Sequence, residues 1–483
     1  MKIALISTVG LTLAGQLAAQ ANGENEPFMG RTRAVVTDSV VTPPTENPNE
    51  GPMRFPNLLP EDPGSYVELT PTYGPQRRHF GPTQAVRFDP ATGVETVMPG
   101  LSLPEPSTQW LAGQQLMDEL EEPLTEAFGS LSAVTSSTYP WSTSCRIFFT
   151  QAGGNYVCSG TMLDPKHVIS AGHCVHSGGS SGVWSTNVVV APSWDGDANA
   201  FGTANGVELT TFTPWTQSRN YGGDMAFIEL DRPVGFLTGW LGTGYSSSTS
   251  WWLGTTFHMA GYPGGCFAGA PHQRYYSFGT FDSVNSTNAY ADLSATCWVG
   301  GMSGSGVYFR DSYSGQRFVY ANLSHGWGAP TSTTKVGMCR MTQAKFTSMQ
   351  AVFASDYSTT QEDIVPLTVR TSATSVARGA ALPNLTYKLC NASQFNPPSL
   401  LRSIDVYLST NANISAADMK IQSHNVTWDF GVNTGVTVGA PPPVIPATLA
   451  PGVYYLGIIV RNADADTSNN DTDDFDAVRI TVY

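Results

Sequence analysis

Positive charge is scarce in this sequence. Among 483 residues, 24 Lys and Arg stand against 38 Asp and Glu, and the net charge of -14 removes the basic footprint that a nucleic-acid partner requires. Charged residues of either sign make up only 13%, and Ser, Thr, Asn and Gly take their place, a composition of secreted β-rich chains more than of helical cytosolic ones. Long apolar runs are missing as well. No segment approaches the roughly 20 apolar residues that span a bilayer, so no membrane span is expected. Cysteine is sparse and widely spaced: there are seven, with no Cys-x-x-Cys pair and a closest spacing of thirteen residues, which leaves a structural zinc site without support.

What is there divides the chain into four parts. The opening MKIALISTVGLTLAGQLAAQA sets a Lys before a short apolar run that ends in small residues, the layout of a secretory signal peptide over residues 1–21. A secreted, extracellular protein is expected, in surroundings where disulfides persist. Residues 22–135 hold sixteen of the 33 prolines and no cysteine, and read as a Pro-rich propeptide or linker. Within that part, STQWLAGQQLMDELEEP has helical spacing until Pro123 stops it.

From 136 to 356 the sequence turns to short β-branched and aromatic runs (CRIFFT, NVVVA, MAFIEL, FVYANL) separated by Gly, Ser and Asn, the punctuation of an all-β barrel or sandwich. Six of the seven cysteines lie here. The part closes on MTQAKFTSMQAVFASD, where Phe346, Met349, Val352 and Phe353 share a helical face that should pack on the barrel. Residues 361–483 show a second strand pattern of sandwich length, including SIDVYLST, GVYYLGIIV and AVRITVY.

Amide hydrolysis by a serine needs an imidazole to take the hydroxyl proton, a carboxylate to orient the imidazole, and backbone donors for the oxyanion. Three motifs supply these parts. In CSGTMLDPKHVISAGHC an apolar strand runs into a small-residue turn that presents His173; in YGGDMAFIEL, Asp224 opens a buried strand; in GGMSGSGVYF, glycines around Ser303 permit a tight turn that exposes its hydroxyl. His167, His176, Ser305 and Asp231 stand nearby but off the motif positions, and read as surface, packing or turn residues.

Taken together, AGHC, DMAFIEL, GYPG and GMSGSG make residues 140–355 resemble the bacterial trypsin-like serine peptidases of the chymotrypsin fold, in particular the glutamyl endopeptidase branch. The resemblance implies an all-β protein with a chymotrypsin-like double β-barrel and a serine endopeptidase activity on protein or peptide substrates. His173 would be the general base, Asp224 its orienting partner and Ser303 the nucleophile, with the N–H groups of Gly301 and Ser303 as the oxyanion hole. It further implies a bridge between Cys158 and Cys174, with Cys145–Cys339 and Cys266–Cys297 as further pairs. Gly306 departs from the branch, where many relatives carry proline, and little effect is expected.

By the same resemblance LSHGWG forms one wall of the primary pocket, with His325, Ser324, Thr296 and Trp327 as substrate-binding residues and His325 as a reader of an acidic side chain. A pocket for apolar side chains is the competing expectation. The part from SIDVYLST onward resembles the CARDB-type immunoglobulin-like modules appended to secreted bacterial proteins, which implies a β-sandwich with a binding or attachment role. Its Asp464, Asp466, Asp471, Asp473, Asp474 and Asp476 offer oxygens of the kind calcium takes, but their spacing departs from the EF-hand loop. The expectation is no metal and no cofactor, with calcium the one cation this stretch would take, and a monomer. A catalytically silent adhesin or binding protein on the same fold is the rival function.

Overall fold

The computed structural model describes residues 67–68, 81–99, 128–129, 131–195, 200–263, 273–293, 300–311, 315–327, 334–396, 400–428, 431–461 and 464–483. The expected signal peptide, the helical run at 107–123, Cys266, Cys297 and Thr296 lie outside these residues.

Six antiparallel strands close the first barrel: Ser144–Gln151, Gly154–Met162, His167–Ser170, Thr186–Pro192, Ala204–Phe212 and Ala226–Leu230. Closure comes from Ala226–Leu230, which pairs with His167–Ser170 on one side and Ala204–Phe212 on the other. Ile147, Phe149, Val168, Val190, Leu209 and Ile228 fill its interior, so the alternate positions of CRIFFT, HVIS and MAFIEL are the ones that drive the barrel shut.

The second barrel is built mainly from Phe257–Gly261, Arg274–Gly279, Asn288–Asp292, Gly306–Arg310, Arg317–Trp327 and Lys335–Arg340, and among the described residues its end strands do not pair with each other. Its core is aromatic, with Trp251, Trp252, Phe257, Phe281 and Phe309 in contact. Between the barrels Ile169, Phe212 and Phe227 meet Tyr308, Val319 and Met341. The expected helix spans Gln343–Asp356 and lays Met349 and Val352, with Phe346 and Phe353, onto that seam. The whole is the chymotrypsin-like double barrel.

The Pro-rich part is not all loop. Ala85–Asp89 and Val94–Val97 form a hairpin whose first strand pairs with the Ala204–Phe212 edge, Ala85 opposite Phe212 and Phe88 opposite Leu209. Ala85 and Val86 are buried, and a fully buried valine side chain contributes about 1.5–3 kcal/mol. Arg87 reaches across to Glu208 and to Asp356 at the end of the helix, the latter at 2.7 Å. Phe88 stacks on Trp184 at 4.9 Å, and the Trp184 indole donates to Glu95. Glu68 and Val67 form a short parallel pairing with Val157 and Tyr156.

The last part is a sandwich of a three-stranded sheet (Ile364–Arg370, Thr386–Asn391, Thr434–Gly439) and a five-stranded sheet that includes Leu400–Ser409 and Gly452–Val460. Leu385, Leu389, Ile404, Val406, Leu456 and Ile458 form its core. It docks on the first barrel. Asp476 receives two bonds from Arg232, at 2.6 and 2.7 Å, and Phe236 is buried among Val365, Leu367 and Cys390.

The cysteines divide. Cys158 and Cys174 are disulfide-bonded. Cys145 and Cys339 are not, contrary to expectation: both are free and buried, Cys145 in the core of the first barrel and Cys339 in the seam beside the Lys345 ammonium, 3.0 Å away. Each thiol is already enclosed by a different set of side chains, so the pair cannot meet without repacking both.

Candidate active site

Strand His167–Ser170 ends in the turn residue Ala171, and the short helix Gly172–Val175 carries His173 back toward the barrel edge. Asp224 leaves a helical turn, Tyr221–Gly223, just ahead of strand Ala226–Leu230. These two elements are neighbours in the barrel, so the fold brings His173 to Asp224. The His173 backbone N–H donates to Asp224 Oδ1 at 2.7 Å, and His173 Nδ1 lies 3.1 and 3.0 Å from the two carboxylate oxygens. Burial acts to raise the Asp224 pKa, but the His173 ring and hydrogen bonds from His173 and Ser324 outweigh it and hold the carboxyl below the usual range. His173 Nε2 is buried and has no partner among the described residues.

Ser303 sits on a turn between Gly301 and Gly304, whose φ values are +91° and +90°. Gly304 has no alternative: a β-carbon there would come within 2.3 Å of the Ser159 carbonyl oxygen and of Ser170 Oγ, and 2.8 Å from the Ala171 nitrogen. That close approach seats the Ser303 turn against the strand end that leads to His173. Met302 points into the second core while the Ser303 carbonyl lies 3.9 Å from the sulfur of Cys174, the residue after His173. The N–H groups of Gly301 and Ser303 donate to no described residue.

Two residues that motif reading passed over hold this turn. The Ser159 hydroxyl donates to the Gly301 carbonyl at 2.7 Å, its N–H donates to the Ser303 carbonyl at 2.8 Å, and its oxygen accepts from the Tyr262 N–H. Thr161 Oγ1 accepts the Gly306 N–H at 3.0 Å, and a β-carbon on Gly306 would lie 2.7 Å from that oxygen. Proline at this position would remove the donor and crowd the acceptor, so the departure from the usual proline is matched by Thr161. The only sequence signal for Ser159 is its place beside Cys158.

Of the expected pocket residues, Thr296 is outside the described residues. Ser324, expected to face substrate, instead turns its hydroxyl to Asp224 Oδ2 at 2.5 Å. His325 is 5% exposed, its Nδ1 lies 2.9 Å from Ser324 Oγ, and its ring stacks on Tyr221 with centroids 4.0 Å apart. Burial drives its pKa down to about 4, so the ring is neutral at neutral pH. Trp327 is exposed at the rim, edge-on to His325 at 4.8 Å.

Of the neighbours off the motif positions, His167, His176 and Ser305 are buried and Asp231 is exposed. His176 accepts the Gly178 N–H on Nδ1. His167, expected at the surface or in simple packing, is a charged clasp: Asp164 holds Nδ1 at 2.7 Å and Asp356 holds Nε2 at 2.9 Å. Asp231 is bonded to Asn205, as a turn residue would be.

Among the described residues, two groups of side chains bring metal-type donor atoms close together. In Cys158, His173 and Cys174 the sulfurs are bonded to each other; in His167, Glu229 and Asp356 both ring nitrogens already face carboxylates. In the acidic tail, Asp476 is committed to Arg232 and to the Thr368 N–H. No helix among the described residues is long and apolar enough to cross a membrane.

A two-barrel fold with an acid–imidazole pair on one turn and a glycine-flanked serine on a turn packed against it has the layout of a serine-protease type of domain. Comparison with known families agrees: the trypsin family model matches residues 132–292, so the chain carries a trypsin-like serine protease domain. Over 155 residues it is 33% identical to the glutamyl endopeptidase of Bacillus licheniformis, covering 32% of this chain and 46% of that protein. Over 200 residues it is 28% identical to a Bacillus subtilis protein named extracellular metalloprotease, covering 41% and 60%. A modular serine protease of Drosophila melanogaster is 25% identical over 185 residues, covering 35% and 28%. The chain thus spans less than two thirds of the length of each of these relatives. Among solved structures, a Glu endopeptidase in complex with MPD aligns with 20% identity and a TM-score of 0.38 over 46% of this chain and 96% of that one. The protease Anisep from Arthrobacter nicotinovorans aligns with 22% identity and a TM-score of 0.38, over 46% and 98%.

Proposed function

We propose that the protein is a secreted serine endopeptidase that cleaves peptide bonds through an acyl-enzyme, with His173, Asp224 and Ser303 as its triad. The observation that carries this is the state of His173: Nδ1 is held by an ionised Asp224, and Nε2 is left buried with no partner among the described residues, next in sequence to Cys174, whose sulfur approaches the Ser303 turn. An imidazole in that tautomer is a base at Nε2. Ser303 Oγ gives its proton to Nε2 as it attacks the carbonyl, the N–H groups of Gly301 and Ser303 receive the oxyanion, and His173 returns the proton to the leaving amine. Water then resolves the ester by the same route in reverse.

Residues 1–21 serve as signal peptide, the Pro-rich part as propeptide, and the C-terminal sandwich as a CARDB-type binding or attachment module. A preference for acidic residues before the scissile bond is supported by similarity to a protein named glutamyl endopeptidase. The surroundings of His325 argue against that residue as the reader, because its free nitrogen carries no proton at neutral pH.

The test pairs a fluorophosphonate probe with mass spectrometry of a peptide mixture digested by the parent and by Ser303→Ala. The parent is expected to be labelled at Ser303 and to cut, with turnover about a million-fold above the variant. A folded parent that is neither labelled nor active would sink the proposal in favour of the adhesin reading.

A further inference from the structure

Ser324 and His325 are consecutive residues of one strand, yet both side chains serve the same site. Regular alternation would send them to opposite faces. The register of strand Arg317–Trp327 against Lys335–Arg340 slips between Leu323 and His325, and this bulge turns both inward. Gly337 on the facing strand makes the room, since a β-carbon there would lie 2.3 Å from His325 Nε2.

The hydrogen-bond chain determines where the protons are. Asp224 is ionised and accepts only, so the single hydroxyl proton of Ser324 lies toward Asp224 Oδ2, 2.5 Å away. Ser324 Oγ can then only accept from His325 Nδ1, which must be the protonated nitrogen. The lone pair of the neutral ring falls on Nε2, which is buried and has no partner among the described residues. A substrate carboxylate would need a donor at that atom, and the ring offers an acceptor.

We infer that His325 is a positioning residue for the catalytic carboxylate, the far end of a chain that runs His173, Asp224, Ser324, His325. This inference rests on the triad proposed above. Its N–H fixes the rotamer of Ser324 and polarises the hydroxyl, which strengthens the bond to Asp224. The groups around His325 suit a neutral ring. Tyr221 covers one face, Tyr290 and Trp327 stand edge-on, and Ser324 occupies Nδ1. Asp224 and His173 act on it from the first barrel with opposite sign. Lys335, over the Tyr290 ring, is paired with Asp292.

The two roles of the ring can be separated by which nitrogen a substitute mimics. Asn presents an amide nitrogen near the place of Nδ1, Gln near that of Nε2, and Phe keeps the stack on Tyr221 with neither. Kinetics would be measured for all three variants on matched peptides with Glu, Gln or Leu before the scissile bond. His325→Phe is expected to lower kcat about three- to tenfold on all three peptides alike, the worth of one hydrogen bond, with KM little changed. A weaker bond to Asp224 leaves that carboxylate more basic, so the acidic limb of the kcat–pH profile moves to higher pH. His325→Asn should restore both kcat and the limb, and His325→Gln should not. In a Ser324→Ala background the His325→Phe change should have no further effect.

A loss confined to the Glu peptide and rescued by His325→Gln would overturn the inference in favour of a substrate reader. An unchanged kcat in a folded His325→Phe variant that still takes the fluorophosphonate probe at Ser303 would overturn it while leaving the triad standing. A parent without Ser303-dependent turnover would remove both.

Discussion

His167 opens a short strand and His173 sits on the helical turn that follows it; both are buried and both face carboxylates at about hydrogen-bond distance, yet their surroundings suit them to opposite tasks. Both nitrogens of His167 are saturated, by Asp164 and Asp356. Burial opposes the charge, but the two carboxylates outweigh it and lift the pKa from 6.5 to about 9. The ring is therefore a fixed cation, stacked on Phe353 at 3.8 Å and tying the strand to the terminal helix. His173 has a carboxylate on one nitrogen only and keeps the other free. A buried histidine becomes a base when one nitrogen is oriented and the other is left without a partner; with both satisfied it becomes a structural cation.

The sharpest way to break this contrast is Asp224→Asn. An amide can donate to Nδ1 and so move the ring proton to Nε2, and kcat should fall about ten thousand-fold with the fold retained, as measured by peptide kinetics and circular dichroism. A loss below tenfold would mean that tautomer control is not the role of Asp224. The mirror experiment is His167→Gln. It leaves the Asp164 carboxylate without its cation and Asp356 with Arg87 alone, and urea unfolding should show a loss of about 3–5 kcal/mol while turnover per folded molecule is kept. Lost turnover at full stability would reverse the assignment of the two rings.

The pH dependence of stability sharpens the same contrast. The folded pKa of His167 is raised, so the stability it contributes is complete below about 6.5 and is lost as pH rises through about 9. The denaturation midpoint of the parent should fall between pH 7 and 10, and the His167→Gln curve should be flatter across that window. A parent midpoint independent of pH there would mean the ring is neutral when folded. The smallest effect is expected at the edge of the cluster. Arg87→Met keeps the apolar stem but frees Glu208 and leaves Asp356 with His167 alone, and should cost about 1–3 kcal/mol, with hydrogen exchange over residues 81–99 rising first. Unchanged exchange would mean that strand pairing alone holds the hairpin.

Much of this was legible in advance. The strand runs, the terminal helix and the 158–174 bridge follow from local patterning and the family resemblance, because each motif carries its own spacing. The hairpin at 85–97 was hidden in a Pro-rich stretch, since AVRFD is too short to announce a strand and its partner lies more than a hundred residues away. His167 looked like a packing residue because Asp356, the carboxylate that saturates its second nitrogen, is 189 positions away. The Cys145–Cys339 expectation failed for a related reason: the cysteine count says nothing about which core each thiol joins.

The sequence by itself determined which chemical groups are available and the local turns that present them: a histidine after a small-residue turn, an aspartate opening an apolar strand, and a serine between glycines. Tertiary structure alone decided what each group faces. It placed Ser159 under the Ser303 turn, turned Ser324 and His325 to one side through a bulge, and gave His167 two carboxylates but His173 one. Proton position and charge depend on contacts within about 3 Å, and those contacts join residues that the chain keeps far apart.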